Sequence, residues 1–329
     1  MSDIFVEDES NEEVVEKKQS KKAPASYLKV KLSSKGKLNT PSTLHVRNYT
    51  GADAMQLALA SEEDILDTIL QVLGGMVWED IDVAHLHEKE LEEILMNIYI
   101  NFWSSTILDF PYPYTQEELE EVEENKKERI QRNEYRPSID IPHSLLQTVD
   151  LAEEFKEPIT ITIKGEKVAF RLPRLQDVLD AKNAVAEMYE TEAMQFSSFE
   201  KVLQQNASLP EDKQQPITPS TYKAYISYLK NRGVQFERRR QASTLISYNG
   251  KTLDSLQDKL DVYDTLDLLF WKRFNEIVKK HGAFGLENDI EVTSPLTGKK
   301  VTRRFQFRLL DFIPAVDEED TTEYSVVFG

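Results

Sequence analysis

The stretch LSSKGKLNTPSTLHVRNYTGADAMQLALA, residues 32–60, decides the fold class because a turn, a strand and a helix start follow one another in it. Its polar residues 33–36 and Pro41 are typical of turns. Residues 44–49 alternate between apolar and polar side chains, which predicts a short strand. Thr50 then stands three residues before Asp53, the spacing in which a hydroxyl caps a helix and an acid supports its first turn. We therefore predict a strand that leads directly into a helix.

Two further helices are predicted in the same region. Ser61 and Asp64 repeat the capping spacing at the start of the second helix. The third helix has one continuous apolar face, which is formed by Leu91, Ile94, Leu95, Ile98 and Phe102. No residue from Leu32 to Trp103 belongs to a catalytic pattern. This region therefore predicts a packing module that presents a surface to other proteins.

The rest of the chain adds two predicted β-hairpins and several helices. Residues 159–163 alternate strictly, the turn Lys164-Gly165-Glu166-Lys167 follows, and residues 168–172 return as the second strand. A second hairpin is predicted across the turn at residues 295–298. Helical patterns cover residues 175–189, 221–231 and 253–280. The fold class that we expect is α+β, mainly helical, with β-hairpins packed on helices.

Changes in composition predict four segments. Residues 1–26 are charged, acidic at first and poor in apolar side chains, which predicts a disordered acidic N-terminal tail. Residues 27–116 form the strand-plus-helices module, and residues 117–157 form a polar helix and linker. Residues 158–329 form a C-terminal α+β domain that contains the two hairpins.

The charge of the chain restricts its partners. The 329 residues carry 58 acidic and 40 basic side chains, for a formal net charge of −18. Broad contact with nucleic acid is disfavoured because phosphate recognition needs a positive surface. Contact with an anionic membrane is disfavoured for the same reason, and no stretch approaches the ~20 apolar residues that span a bilayer. We predict neither nucleic acid nor membrane as a partner.

The residue types that hold metals and cofactors are scarce. The chain has no cysteine, which excludes disulfides and thiolate ligands. His85 and His87 do not complete a zinc site, and we interpret them as surface or capping residues. Gly74-Gly75 is not followed by the Lys-Ser/Thr of a phosphate loop. We predict neither a metal nor a cofactor, and we interpret the adjacent acids Glu92 and Glu93 as part of a solvated face.

Three aromatic residues are candidates for partner binding. Trp78 lies in a predicted loop flanked by acids, and Phe102 and Trp103 lie at the end of the third helix. Aromatic side chains are enriched among the residues that dominate binding energy at interfaces. The alternative is that these side chains pack within their own domain.

Arg238, Arg239 and Arg240 form the one dense basic cluster of the sequence and are the other candidate site. Contact with RNA or DNA is one interpretation, but the cluster lacks interleaved aromatics and the chain is acidic. An ion-pair patch is the second interpretation, for an acidic partner or for the acidic tails of this chain, such as the run Asp317–Asp320. A solvated helix face is the third.

The order of these elements resembles a known family. The run "LHVRNYTGADAMQLALA", the loop "MVWEDIDVAHLHEKE" and the helix "LEEILMNIYINFW" are similar to the baseplate hub assembly proteins of T4-like contractile-tailed bacteriophages. In that family a β-rich segment with an "LR-P" step follows, and here Phe170-Arg171-Leu172-Pro173 takes its place. The resemblance covers roughly residues 32–182, and its motifs carry no chemical signature.

The resemblance implies a non-enzymatic tail protein that binds hub or tail-tube components and promotes assembly of the baseplate hub. Such a protein would act in the host cytoplasm, and it would either leave as a chaperone or stay in the virion baseplate. A wedge or scaffold subunit of the virion is one alternative. A hydrolase whose carboxylate site is assembled from distant residues is the other, and it would need a deep pocket with convergent polar groups.

Overall fold

The computed structural model describes residues 23–61, 64–210, 213–281 and 283–313. Most of the predicted N-terminal tail and the acidic run Asp317–Asp320 lie outside these residues. The helices are α1 (Gly51–Ala58), α2 (Ile65–Met76), α3 (Glu88–Phe102), α4 (Gln116–Glu120), α5 (Glu124–Gln131), α6 (Leu175–Met188), α7 (Glu190–Ser208), α8 (Pro219–Ser243), α9 (Leu256–Thr265) and α10 (Leu268–His281). The strands are β1 (Leu28–Lys31), β2 (Thr43–Val46), β3 (Thr106–Pro111), β4 (Ser138–Pro142), β5 (Thr148–Val149), β6 (Ile159–Ile163), β7 (Glu166–Phe170), β8 (Leu245–Tyr248), β9 (Lys251–Thr252), β10 (Gly285–Leu286), β11 (Asp289–Thr293) and β12 (Lys300–Arg304).

The predicted fold class is confirmed. Helices hold 49% of the described residues and strands hold 18%, in small sheets, so the fold is α+β and mainly helical. In the part of the chain that the structure describes, no helix is long and apolar enough to cross a bilayer.

The strand-to-helix step at Thr50 is also confirmed. β2 pairs with β1 in antiparallel register, and α1 begins directly afterwards. The Thr50 hydroxyl accepts a hydrogen bond from the Asp53 N–H at 3.2 Å, and the Asp53 carboxylate accepts one from the Thr50 N–H at 2.7 Å. This reciprocal cap satisfies two N–H groups that the first turn of a helix leaves without partners.

Both predicted hairpins form, but in different sheets. β6 pairs with β7 from Ile159↔Phe170 to Ile163↔Glu166, and this hairpin continues through β8 and β9 into a four-stranded sheet. Lys164 and Gly165 both have positive φ, as a two-residue hairpin turn requires. The second hairpin, β11–β12, is a separate two-stranded sheet.

Three hydrophobic clusters hold the described residues together. The first combines Leu44 and Ile94 of the N-terminal module with Ile290 and Phe305 from the end of the chain. Ile161 belongs to the second cluster, which joins the four-stranded sheet to α10. The first cluster also contains Ile141 and so draws on three of the predicted segments, while the predicted domain boundaries stay predictions.

Two segments differ from the sequence pattern in detail. The polar stretch from residue 116 to residue 131 forms two short helices, α4 and α5. In α4, Glu118 is buried and is held by Arg303 at 2.7 Å and by the Tyr112 hydroxyl at 2.7 Å. Gly74 and Gly75, which the sequence pattern favours as a cap and turn after the second helix, lie inside α2, because the helix continues to Met76.

Candidate functional site

Trp78 lies directly after α2 and is held against the first two strands. Its N–H donates to the His45 carbonyl at 2.9 Å, and its ring meets the Tyr27 ring edge-on with centroids 5.6 Å apart. The side chain is still 39% exposed. Trp78 therefore packs on its own module with one part of the indole and faces solvent with another.

Trp103 directly follows α3 and is held in a similar way. Its Nε1–H donates to the Asn48 side-chain oxygen at 3.1 Å, and its ring lies 6.3 Å from the Tyr49 ring. It is 47% exposed, whereas its neighbour Phe102 is half-buried against the first hydrophobic cluster. Of these two candidates from α3, Trp103 is the one with a large exposed ring.

The two tryptophans converge on one short stretch of backbone. Their anchoring residues, His45 and Asn48, are three positions apart, so their Cα atoms are separated by at most about 11 Å. We refer to Trp78 and Trp103, together with the half-buried His45 and Asn48 that anchor them, as the tryptophan surface. Sequence spacing did not reveal this convergence, because Trp78 and Trp103 are 25 positions apart.

The basic cluster is engaged within the chain. Arg238 forms an ion pair with Asp264 of α9, and Arg240 pairs with Glu237 at 2.7 Å. The Nε of Arg239 is buried and has no hydrogen-bond partner among the described residues. Two of the three guanidinium groups are thus committed to neighbours on α8 and α9.

Three acidic side chains of α3, Glu90, Glu92 and Glu93, are buried, so the interpretation of Glu92 and Glu93 as a solvated face is wrong. The loop between β1 and β2 contacts Glu93, whose carboxylate accepts a hydrogen bond from the Ser33 N–H at 3.0 Å. Glu92 is paired with Lys89 at 2.7 Å. Burial raises the pKa of Glu93 to about 7, because the ionised carboxylate has lost most of its hydration.

The two histidines have the capping and surface positions that the sequence predicts. His87 is the N-cap of α3, and its ring nitrogen accepts a hydrogen bond from the Lys89 N–H at 3.1 Å. Burial lowers the pKa of His87 to about 3, so the ring is neutral at physiological pH. His85 is exposed beside Asp82. Among the residues that the structure describes, no three His, Asp or Glu side chains are arranged to hold a metal ion.

A cleft of about 610 Å³ is the feature that sequence reasoning missed. It lies where the start of α3, the start of α6, the end of α10 and residues 283–289 meet. Its basic lining residues are Lys89, Arg174, Arg240, Lys279 and Arg304. One signal was available in the sequence. Arg174 directly precedes a helix, at a position where Ser, Thr, Asp or Asn is usual.

The walls of this cleft approach each other closely at Gly285. Its φ is +91°, and a Cβ built there would lie 2.9 Å from the Lys89 Cβ. The chain therefore needs glycine at this position both for the backbone conformation and for the space. The contact fixes β10 against the first turn of α3.

Compared with models of known families, with curated proteins and with solved structures, the chain gives no significant match.

Proposed function

We propose that the protein is a non-enzymatic subunit that binds hub or tail-tube proteins of a contractile-tailed phage and promotes assembly of the baseplate hub. The observation that carries the proposal is the tryptophan surface, in which two large indole rings remain 39% and 47% exposed. The resemblance of residues 32–182 to hub assembly proteins supplies the identity of the partners.

The tryptophan surface suits a protein partner because its rings are already held in place. Trp103 is fixed by its hydrogen bond to Asn48, and Trp78 by its contact with Tyr27. Rings that are ordered before binding lose little side-chain entropy when a partner covers them. The predicted module of residues 27–116 also exposes Met55, Leu59 and Leu108.

The test is co-purification with the hub and tail-tube proteins encoded beside this protein, followed by titration of the pair that forms. Trp78→Ala and Trp103→Ala are each expected to weaken binding by about 2 kcal/mol or more, which is roughly a 30-fold rise in Kd. Tyr222→Ala is the matched control, since Tyr222 is an exposed aromatic residue on α8. Thermal melts of all variants check that the fold is retained.

The possible outcomes distinguish an error in the proposed function from an error in the proposed contact surface. If the wild-type protein captures none of these tail proteins, the assembly function is refuted. If it captures one and both tryptophan variants bind as well as Tyr222→Ala, the function stands and the contact surface lies elsewhere. Mass spectrometry of purified virions then distinguishes a chaperone that leaves from a hub, wedge or scaffold subunit that stays.

A further inference from the structure

α8 has two apolar faces, and one of them is packed against a neighbouring helix. Tyr225 and Tyr228 face α7, where their rings lie 5.5 and 5.1 Å from the Phe196 ring. The other face is largely exposed, with three large side chains between 39% and 48% accessible to solvent. We refer to the residues of this second face as the α8 seam: Tyr222, Ile226, Leu229, Gly233 and Phe236. The described part of the chain leaves most of this apolar surface open to solvent.

The spacing of the α8 seam indicates a helical partner. Its residues follow one another at intervals of four, three, four and three positions, which is the heptad repeat of helices that pack side by side. From Tyr222 to Phe236 the seam is about 21 Å long. A partner helix of about four turns matches this length.

Gly233 gives a second indication of a close helical contact. It lies in the interior of α8, where glycine is less favourable than other residues. Its φ is not positive, and a Cβ built there would meet nothing within 4 Å, so neither the backbone nor the described neighbours require glycine. A residue without a side chain allows the backbone of another helix to approach closely. Gly233 is therefore explained by a helix that lies outside the described residues.

One flank of the α8 seam is basic. Lys223 and Lys230 are exposed, each directly follows a seam residue, and neither forms an ion pair within the described residues. Because successive helix residues are about 100° apart, both lysines lie on the side of the seam away from Tyr225 and Tyr228. Residues 213–236 contain four basic residues and no acidic one. This flank therefore suits the carboxylates of a partner.

The acids near α8 do not neutralise these lysines. Glu237, the next acid along the helix, pairs with Arg240 at 2.7 Å. α7 carries three acids, but it packs on the opposite flank of α8 from the two lysines. One of them, Glu200, accepts a hydrogen bond from the Tyr225 hydroxyl at 3.0 Å. The basic flank thus keeps its charge in a chain whose net charge is −18.

We propose that the α8 seam is the docking site for an amphipathic helix with acidic flanks that belongs to another protein. The apolar stripe of that helix covers Ile226 and Leu229, and its carboxylates pair with Lys223 and Lys230. A second copy of this chain does not fit the site, because pairing two α8 helices would bring the basic flanks together. The site is separate from the tryptophan surface, whose rings follow α2 and α3.

The test titrates the full chain into a fluorescent synthetic peptide of about three heptads, with Leu at positions a and d and Glu at positions e and g. Saturable binding is expected, as read by fluorescence anisotropy. The matched peptide carries Lys in place of each Glu. It is expected to bind at least about tenfold more weakly, because its flanks repel Lys223 and Lys230.

Substitutions in the α8 seam test the apolar contact. Ile226→Ser together with Leu229→Ser is expected to raise the Kd of the acidic peptide at least about tenfold, since two apolar side chains no longer become buried. Val234→Ser is the matched control, because Val234 is an exposed apolar residue of α8 outside the seam. Gly233→Glu is expected to weaken binding while the thermal melt is retained, since its position has open space and Glu favours helix.

Charge reversal tests the chemistry of the flank. Lys223→Glu together with Lys230→Glu is expected to reverse the preference, so that the peptide with Lys at positions e and g binds more tightly than the peptide with Glu. Lys251→Glu together with Lys272→Glu changes the net charge equally at exposed positions of β9 and α10. This control is expected to keep the preference of the wild type.

Four outcomes would overturn the proposal. The first is no saturable binding of the acidic peptide up to about 1 mM. The second is equal binding by the seam variants and by Val234→Ser, and the third is a peptide preference that does not respond to reversal of Lys223 and Lys230. The fourth is a wild-type dimer in sedimentation that Ile226→Ser with Leu229→Ser dissociates, which would assign the seam to a second copy. None of these measurements uses a tail protein, so each outcome leaves the function proposed above untouched.

Discussion

Arg174 and Glu157 form an ion pair at 2.6 Å in which the two side chains are 5% and 7% exposed. The other Glu157 oxygen accepts the Leu172 N–H at 2.8 Å. This pair ties the segment before β6 to the start of α6. Burial opposes ionisation of both side chains, which raises the pKa of Glu157 and lowers that of Arg174. The attraction between the two charges favours the ionised forms and opposes both of these shifts.

Removing one partner of this pair is expected to destabilise the protein strongly. Glu157→Ala leaves the Arg174 guanidinium buried without a counter-charge and the Leu172 N–H without an acceptor. The expected loss is about 3–5 kcal/mol in the free energy of unfolding, measured by urea denaturation. Glu291→Ala, which removes half of the exposed pair with Lys300, is the control and should melt close to the wild type. Equal stability of the two variants would show that the buried pair contributes no more to the free energy of unfolding than the exposed pair.

Because Glu93 is buried, we predict that the stability of the protein falls as the pH rises. Its pKa rises from 4.5 to about 7 on folding, so the folded chain binds this proton more tightly than the unfolded chain. The resulting stabilisation is complete below the pKa that Glu93 has in the unfolded chain. It is lost as the pH rises through the pKa that Glu93 has in the folded chain. Between about pH 4 and about pH 8, the wild type should lose about 3 kcal/mol more than Glu93→Gln, which cannot titrate.

The control for this pH effect is Glu88→Gln on the same helix, because Glu88 is exposed. Its stability should follow the wild-type curve over the whole range. A Glu93→Gln variant that shows the same pH dependence as the wild type would contradict the assignment of the proton to Glu93.

The buried face of the first hairpin is expected to be sensitive to truncation. Ile161 is buried in the second hydrophobic cluster, and Ile159 and Ile163 pack against the same cluster from the same side of the strand. Ile161→Ala should cost about 2–5 kcal/mol, since it leaves a cavity in a packed core. Thr160→Ala alters an exposed neighbour on the opposite face and should change the melting temperature little. A melt that does not respond to Ile161→Ala would refute the burial.

Two glycines allow the energetic cost of a left-handed backbone to be separated from the cost of a steric clash. Gly285 and Gly165 have nearly the same φ, +91° and +90°, but a Cβ at Gly285 meets Lys89 at 2.9 Å while one at Gly165 meets nothing within 4 Å. Gly165→Ala should therefore report only the cost of the left-handed backbone, about 1–2 kcal/mol. Gly285→Ala should cost more, because β10 must also move away from α3. Equal losses in chemical denaturation would show that the clash relaxes freely.

The sequence by itself determined the local structure, because periodicity and capping act over a few residues. The alternation of residues 159–163 and the pairing of Thr50 with Asp53 depend only on near neighbours, and the capped helix formed as predicted. The hairpin also formed, but its turn is Lys164-Gly165 rather than residues 164–167, so its second strand begins at Glu166. The fold class followed from the same signals. The candidate aromatics were identified by residue type, but the sequence did not distinguish the exposed Trp103 from the half-buried Phe102.

The tertiary structure alone decided which polar groups are buried and which distant residues meet. The sequence pattern indicates a surface position for Glu93, but in the fold its carboxylate is bound by the N–H of Ser33, 60 positions away. The cleft gathers Lys89, Arg174 and Arg304 from three remote parts of the chain, so no local pattern could indicate it. Burial and electrostatic environment depend on every element that packs around a side chain. For that reason the charge of a residue could be read from the sequence, while its solvation and its partners came only from the fold.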